Sequence, residues 1–345
     1  MTDFKWAISL HRFMLKSIGL WPPDSRNVHE IVRSKFRLLC NVITLLFITT
    51  IPTLVSLLRI WGDMTLKVEN LECSLPMLMA LFKISIIWYN QKVSITLVLP
   101  CFGLMVRHVT NLTDCGRPLL IQSYYLHDVS KSPQFELTYL AQGIVLFTGC
   151  LSYSAVDHFL GLLIFHVCGQ LENLHLRLRH MEKYPNFNAV LKYNVQDHIR
   201  LIRSVEIIDN TFDLMLLGLM ICFCIEFCLQ GFLIVNIVKK EGQLPFMQLG
   251  WIVAMILYIL LHMGLYCGVG EVLVTQSEKI HRAAYEYSWH TIEPKAAKNL
   301  LLIMLRSNKP LYITAGKTFP MTMATLCNLL KTSAGYVSVL LANQN

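Results

Sequence analysis

Charged residues are scarce in this chain. Of its 345 residues, 15% are Asp, Glu, Lys or Arg and 54% are hydrophobic, whereas soluble domains usually carry about 25% charged residues. The sequence also lacks a glycine-rich phosphate loop, an H-E-x-x-H pair and a G-x-S-x-G element. None of its eleven cysteines has zinc-ligand spacing to histidines. These absences disfavour a soluble domain, an enzyme, a metal centre and a bound cofactor.

What the chain has instead is seven long apolar segments, which indicate an all-α, polytopic membrane protein with seven transmembrane helices. The third segment is short and contains Pro100. The fourth corresponds to roughly 50 Å of helix at about 1.5 Å per residue, so it must tilt or protrude from a bilayer core of about 30 Å. The expected spans are residues 38–58, 73–90, 93–106, 137–171, 214–238, 242–270 and about 313–341.

Lys and Arg are distributed unevenly between the segments that connect these spans. Twenty lie in the N-terminal segment and in the loops on its side, and seven lie in the opposite loops. The positive-inside rule therefore places the N-terminus in the cytoplasm and the C-terminus outside. The sequon at Asn111 falls in a loop that this topology places outside. Cys73 and Cys115 could face the same side, so a disulfide between them stays open. The basic residues follow particular loops and do not indicate nucleic-acid binding.

The last span carries a polar stripe. Thr318, Thr322, Thr325, Asn328 and Thr332 recur three or four residues apart and would fall within about 120° of one helix face. Hydroxyl groups gain nothing by facing lipid, so the stripe should face protein or water. Threonine packing between helices and an aqueous lining are both compatible with this pattern.

The segment between spans four and five is also patterned. Leu174, Leu178 and Met181 continue the helical spacing of span four, and similar spacing at residues 195–205 precedes span five. We therefore expect helices four and five to extend into the cytoplasm and pack there, with a break at residues 184–186. Their outer faces would form either a subunit contact or a solvated hairpin.

The C-terminal stretch from Arg306 to Lys317, RSNKPLYITAGK, resembles the signature of the insect odorant receptors. The resemblance continues through residues 329–340 and includes Tyr285, Trp289 and residues 165–171. It implies an odorant-gated, non-selective cation channel, a heterotetramer in the plasma membrane of olfactory sensory neurons. In that channel this chain would be the tuning subunit, which binds a volatile small molecule and assembles with a shared co-receptor. One departure is that only residues 90–92 separate spans two and three, where the family usually has a few dozen residues.

The resemblance also implies an organisation in four regions. These are a cytoplasmic N-terminal segment (1–37), helices one to four with the ligand pocket (38–171), cytoplasmic anchor elements with helices five and six (172–312), and a pore-lining helix seven (313–345). The alternatives are a gustatory-receptor-like channel or a non-conducting truncated isoform. A transporter is disfavoured because the two halves of this sequence show no internal repeat of the kind that transporters often have. A G-protein-coupled receptor is disfavoured because it would have the reverse orientation in the membrane.

The family binds odorants in the outer half of the membrane, among helices two, three, four and six. Candidates follow from depth and aromatic character, although an aromatic in a membrane helix also serves packing. They are Met79, Phe82, Ile86, Phe102, Met105, Phe147, Gly149, Cys150, Tyr153, Trp251, Met255, Tyr258 and His262. We expect Asp157 and Glu226 to have structural or assembly roles and Lys83 to reach toward a membrane interface.

Pore and assembly residues are implied in the same way. Val339 matches the hydrophobic gate position, with Leu340 as second choice and Asn343 at the outer mouth; packing of Val339 and Leu340 against helix five is the alternative. The pore and gate candidates are Thr318, Thr322, Thr325, Thr332, Tyr336, Val339, Leu340 and Asn343. The assembly candidates are Tyr285, Trp289, Leu300 and Leu305.

The topology can be tested with an epitope tag placed after Asn345. An extracellular C-terminus gives staining of intact cells, and removal of N-linked glycans shifts the mobility of the wild type but not of Asn111→Gln. Staining that requires permeabilisation would contradict the topology. It would also point to the short third span, on which the orientation of everything downstream depends.

Overall fold

The computed structural model describes residues 9, 12–21, 28–59, 64–90, 125, 132–181, 187–239, 246–287 and 289–342. It comprises two compact units, residues 1–159 and 160–345. Apart from one short hairpin, the regular elements within the described ranges are helices. The all-α class expected from composition and periodicity is therefore confirmed.

The first unit contains a helical rod with a local change of pitch. Helix α1 (Val28–Thr44) continues into a π-helical turn (Leu45–Thr50) and then into α2 (Ile51–Arg59). Pro52 has no N–H to donate to Ile48, and the Tyr125 hydroxyl donates to that carbonyl oxygen at 2.7 Å. The Ile48 carbonyl group, which receives no hydrogen bond from Pro52, is thus bonded by a side chain from outside the rod.

Helix α3 (Met64–Asn90) and the first part of α4 (Gln134–Arg179) belong to the same unit, as does a short helical segment at residues 12–18. Close packing of α4 depends on Gly149, because a Cβ there would lie 2.9 Å from Leu45 Cδ2. The core beside it includes Met77, Ala80 and Ile84.

The second unit is built from the end of α4 and four further helices. These are α5 (Phe187–Lys239), α6 (Phe246–Glu286), α7 (Pro294–Ser307) and α8 (Met323–Ala342). A two-stranded antiparallel hairpin, β1 (Thr314–Ala315) and β2 (Phe319–Pro320), precedes α8. Helix α8 packs on α5 and α6, α7 packs on α6 and α5, and β1 lies on α5.

The length of α5 confirms that helix five extends beyond its apolar part. Its 53 residues form about 80 Å of helix at about 1.5 Å per residue, far more than a bilayer core of about 30 Å. The extension is tied to α4 by Asp197, which pairs with Arg177 of α4 and, at 2.6 Å, with Arg200. Lys279 of α6 lies 3.3 Å from Glu172 of α4.

Four helices within the described residues are long and apolar enough to cross a membrane. They cover His29–Arg59, Gln134–Arg179, Phe187–Val235 and Ile252–Glu286, with a shorter apolar helix at Ser74–Ile86. The third expected span, the sequon at Asn111, Cys115 and the break at residues 184–186 lie outside the described residues, as does the side chain of Cys73.

The expected start of the last helix, near residue 313, is wrong. Helix α8 begins at Met323. Gly316 and Lys317 have a φ of 59°, a left-handed backbone that does not continue a right-handed helix. Pro320, at the end of β2, has no N–H to donate to a preceding helical turn. Thr318 therefore lies in the hairpin turn. Thr322 caps α8, its hydroxyl accepting the N–H of Thr325 at 3.4 Å.

The contact between α6 and the start of α8 yields a stability prediction. A Cβ at Gly270 would lie 1.9 Å from the Met321 carbonyl oxygen, so the backbone has to shift. We expect Gly270→Ala to lower the free energy of unfolding by about 1–3 kcal/mol and to lower the melting temperature in detergent.

Gly268→Ala, on the same helix, is the matched control. Apart from its chain neighbours and the backbone of its own helix, no atom of the described residues lies within 4 Å of a Cβ at Gly268, and alanine favours the helix. Equal melting temperatures for the two variants would contradict the close approach of α6 to Met321.

Candidate ligand site and pore helix

A buried ion pair joins α3 and α4 in the first unit. The side chain of Lys83 is 0% exposed, and its Nζ lies 2.5 Å from Asp157 Oδ1. The same Nζ lies 3.2 Å from the centroid of the Tyr153 ring, one turn earlier on α4. The expectation that Lys83 reaches toward a membrane interface is wrong. Its ammonium group is buried between α3 and α4, where the Asp157 carboxylate compensates its charge. The structural role expected for Asp157 agrees with this contact.

The ligand candidates of the first unit fall on different faces. Met79 and Ile86 are buried, and Phe82 and Tyr153 are half-buried. Gly149 packs against Leu45 and Met77. Phe147 is 66% exposed and Cys150 is exposed, so both point away from this packing. Phe102 and Met105 lie outside the described residues.

In the second unit, two of the candidates on α6, Tyr258 and His262, lie in a cluster of tilted aromatic rings. The His262 ring centroid lies 5.6 Å from that of Tyr258 and 5.4 Å from that of Tyr266, one turn away on either side. Phe223 of α5 lies 5.2 Å from it. Met255 is half-buried, and the side chain of Trp251 lies outside the described residues. These rings form an apolar surface with hydroxyl and imidazole groups along it.

The start of α8 is fixed by acidic residues that the sequence analysis did not select. Asp209 of α5 accepts hydrogen bonds from Thr314 and from Lys317, and Glu271 of α6 accepts the backbone N–H of Met323 at 3.2 Å. The spacing of Asp209 and Asp213, one helical turn apart just before the apolar part of span five, was the available signal.

The polar stripe persists on α8 in a shortened form. Thr325 is half-buried and donates to the Pro320 carbonyl oxygen at 2.6 Å. Asn328 and Thr332 are exposed, and the Thr332 hydroxyl donates to the Asn328 carbonyl oxygen at 2.9 Å. Tyr336 is also exposed. The side chains of Val339 and Leu340, and the whole of Asn343, lie outside the described residues.

The assembly candidates divide by accessibility. Tyr285 and Leu305 are each 65% exposed and Trp289 is 43% exposed. Leu300 is 0% exposed, so its inclusion as a contact residue is wrong, because α7 turns this side chain into its own unit. A cleft of about 1090 Å³ lies between α5 and α7, with Ile199 and Leu302 among its lining residues.

The ion pair between Lys83 and Asp157 can be tested by removing one partner or both. Lys83→Met removes the ammonium group that pairs with the largely buried Asp157 carboxylate, which should cost about 3–5 kcal/mol and reduce surface expression. Lys83→Met combined with Asp157→Leu should recover most of this loss, since an apolar pair of similar size needs no counter-charge. Surface biotinylation and melting temperature are the measurements.

Lys331→Met, at an exposed lysine of α8, controls for loss of a lysine as such. A double variant that is less stable than either single variant would contradict the pairing.

Comparison with known sequences gives a consistent match. The family model for the 7tm Odorant receptor matches residues 63–334. Odorant receptor 10 of Aedes albopictus is 29% identical over 221 residues, which cover 62% of this chain and 57% of that protein. Odorant receptor Or2 of Anopheles gambiae is 25% identical over 224 residues, which cover 62% and 58%. The chain thus spans somewhat over half the length of these curated relatives.

Solved structures match over nearly the whole chain. The olfactory receptor OR5 of Machilis hrabei has a TM-score of 0.77 at 18% identity, covering 98% of this chain and 97% of that one. The same receptor in complex with eugenol has a TM-score of 0.74, again at 18% identity, and covers 99% and 98%. This likeness confirms the seven-helix fold expected from the sequence. With the family model covering most of its length, the chain belongs to the insect 7tm odorant receptor family and is a multi-pass membrane protein.

Proposed function

We propose that this chain is the tuning subunit of an odorant-gated, non-selective cation channel in the plasma membrane of olfactory sensory neurons. It assembles there with a co-receptor subunit and binds a volatile small molecule. Family membership supports the receptor role. The observation that carries the channel role is the exposed polar face of α8.

This face is costly in any environment except water or protein. The 20 residues of α8 extend about 30 Å at about 1.5 Å per residue, the thickness of a bilayer core. Asn328, Lys331 and Thr332 are exposed on it. A lysine and an amide that face lipid at this depth are strongly unfavourable. Lining an aqueous pore accounts for all three residues together.

Val339 is the proposed gate, with Leu340 as second choice. Val339 follows Thr332 by seven residues, two helical turns, which is the spacing on which the sequence expectation rests. A ring of apolar side chains, one from each subunit, closes a pore by dewetting.

Ligand contacts are proposed within each unit separately. In the first unit they are Phe82, Ile86 and Tyr153, of which Tyr153 is held beside the ion pair. In the second they are Met255, Tyr258 and His262. OR5 of Machilis hrabei has been solved in complex with eugenol, a ligand of small size. Apolar surface with a few hydroxyl and imidazole groups suits this class of molecule.

Assembly is proposed to use the exposed residues Tyr285, Trp289 and Leu305 together with the cleft between α5 and α7. Uncovered aromatic and aliphatic side chains of this kind often dominate interface energy. With the N-terminus in the cytoplasm, this surface lies on the cytoplasmic side. Trp289→Ala should then reduce co-purification with the co-receptor, and unchanged co-purification would count against this surface.

The channel proposal is tested by recording currents from cells that express this chain alone, the co-receptor alone, or both, across a panel of volatile compounds. We expect odorant-evoked cation current only from the pair. Val339→Ser, at equal surface expression, should raise the odorant-independent current or alter ion selectivity, because a polar ring is easier to wet. Wild-type baseline, selectivity and blocker sensitivity in this variant would remove Val339 from the gate.

A further inference from the structure

The turn that leads into α8 is tied to α5 through one carboxylate. Asp209 Oδ1 accepts hydrogen bonds from the backbone N–H and the hydroxyl of Thr314, at 2.6 and 2.8 Å. Its second oxygen, Oδ2, lies 2.6 Å from Lys317 Nζ. The start of β1 and the middle of the hairpin turn are therefore held by the same side chain.

Neighbouring residues of α5 complete this attachment. Lys317 Nζ also donates to Asn210 Oδ1 at 2.5 Å and lies 3.7 Å from Asp213 Oδ2. The N–H of Gly316 donates to the Asp213 carbonyl oxygen at 2.9 Å. We call the contacts of Asp209, Asn210 and Asp213 with the hairpin the α5 latch.

The latch holds a backbone conformation that this sequence would otherwise avoid. Lys317 has a φ of 59°, in the left-handed region that a residue with a side chain rarely adopts unless its surroundings fix it. Gly316 before it also has a φ of 59°, and a Cβ there would lie 2.7 Å from Leu217 Cδ2. The turn is thus pressed against α5 and depends on the charge contacts of Lys317.

The other side of the junction is fixed by α6. Glu271 accepts the N–H of Met323, the first residue of α8, and the Met321 backbone occupies the space that a side chain at Gly270 would need. Only two residues, Met321 and Thr322, link the hairpin to α8, so the position of the hairpin sets the position of the helix start.

We propose that Asp209 and Lys317 are positioning residues for α8, and that the α5 latch keeps the pore closed in the absence of ligand. This rests on the proposed function, in which α8 lines the pore. An apolar constriction responds to small shifts of the helices that form it. Releasing the latch frees the start of α8 and favours the wetted, conducting arrangement.

The test uses the full chain co-expressed with the co-receptor. Lys317→Met and Asp209→Asn should each raise the ratio of odorant-independent to maximal current at least threefold, after normalisation to surface protein. The double variant should match the single variants, because the two residues act through one contact. Lys317→Arg keeps the charge and should stay within twofold of the wild type, as should Lys309→Met, the control at an exposed lysine eight residues earlier.

A second readout does not depend on current. Cys327 is exposed on α8, and its labelling by a thiol reagent in ligand-free membranes can be followed by mass spectrometry. We expect labelling at least threefold faster in Lys317→Met than in the wild type, with no change in Lys309→Met. Wild-type currents and wild-type labelling in Lys317→Met would overturn the proposal, and so would an effect confined to the amount of surface protein.

Failure of the wild-type pair to conduct would refute the proposed function instead. The labelling rate at Cys327 would still decide whether the latch positions α8.

Discussion

The second unit depends on α5 being one uninterrupted helix. Its 53 residues carry contacts to α4 near its start, to the hairpin at its middle and to α8 along its apolar part. A straight helix transmits position along its axis because each peptide group is bonded to the next turn. The packing of α4, α7 and α8 is thus fixed against the same helix, α5.

Polar groups in the membrane-embedded part are satisfied in two ways. Lys83 is compensated by a carboxylate on a neighbouring helix, whereas threonine hydroxyls such as that of Thr332 return to the backbone of their own helix. The first arrangement fixes two helices against each other. The second arrangement does not hold α8 against a neighbouring helix, so the exposed face of α8 can contact water or another subunit.

Periodic features of the sequence predicted much of this architecture. The extension of helices four and five follows from Leu174 and Leu178, because apolar residues that continue at helical spacing beyond a span need a packing partner. The start of α8 was mispredicted because Thr and Ile in residues 313–318 are compatible with a helix, and the left-handed backbone at Lys317 is set by contacts with α5. Pro320 was the signal that was overlooked.

Contacts across the chain were beyond prediction. Lys83 and Asp157 are 74 residues apart, and nothing local distinguishes a lysine that pairs from one that reaches the headgroups. The same holds for Asp209, 108 residues from Lys317. The candidate site was therefore predicted as a set of residue types at suitable depths, whereas its geometry depends on tertiary pairing.

The π-helical turn at Leu45–Thr50 makes the rod tolerant of a change in chain length at this one place. A π-turn holds one residue more than the α-helical ladder requires, in a wider turn. Deleting a single residue from this turn would therefore restore the α-helical ladder while α1 and α2 keep nearly the same faces toward their neighbours. Deleting Ile43 of α1 would instead rotate the preceding part of the helix by about 100° and shift it by about 1.5 Å along the axis. Leu38 and Val42, which are buried, would then move off the packed face. The same loss of one residue is thus absorbed in the π-turn but exchanges one side of α1 for another a single turn earlier.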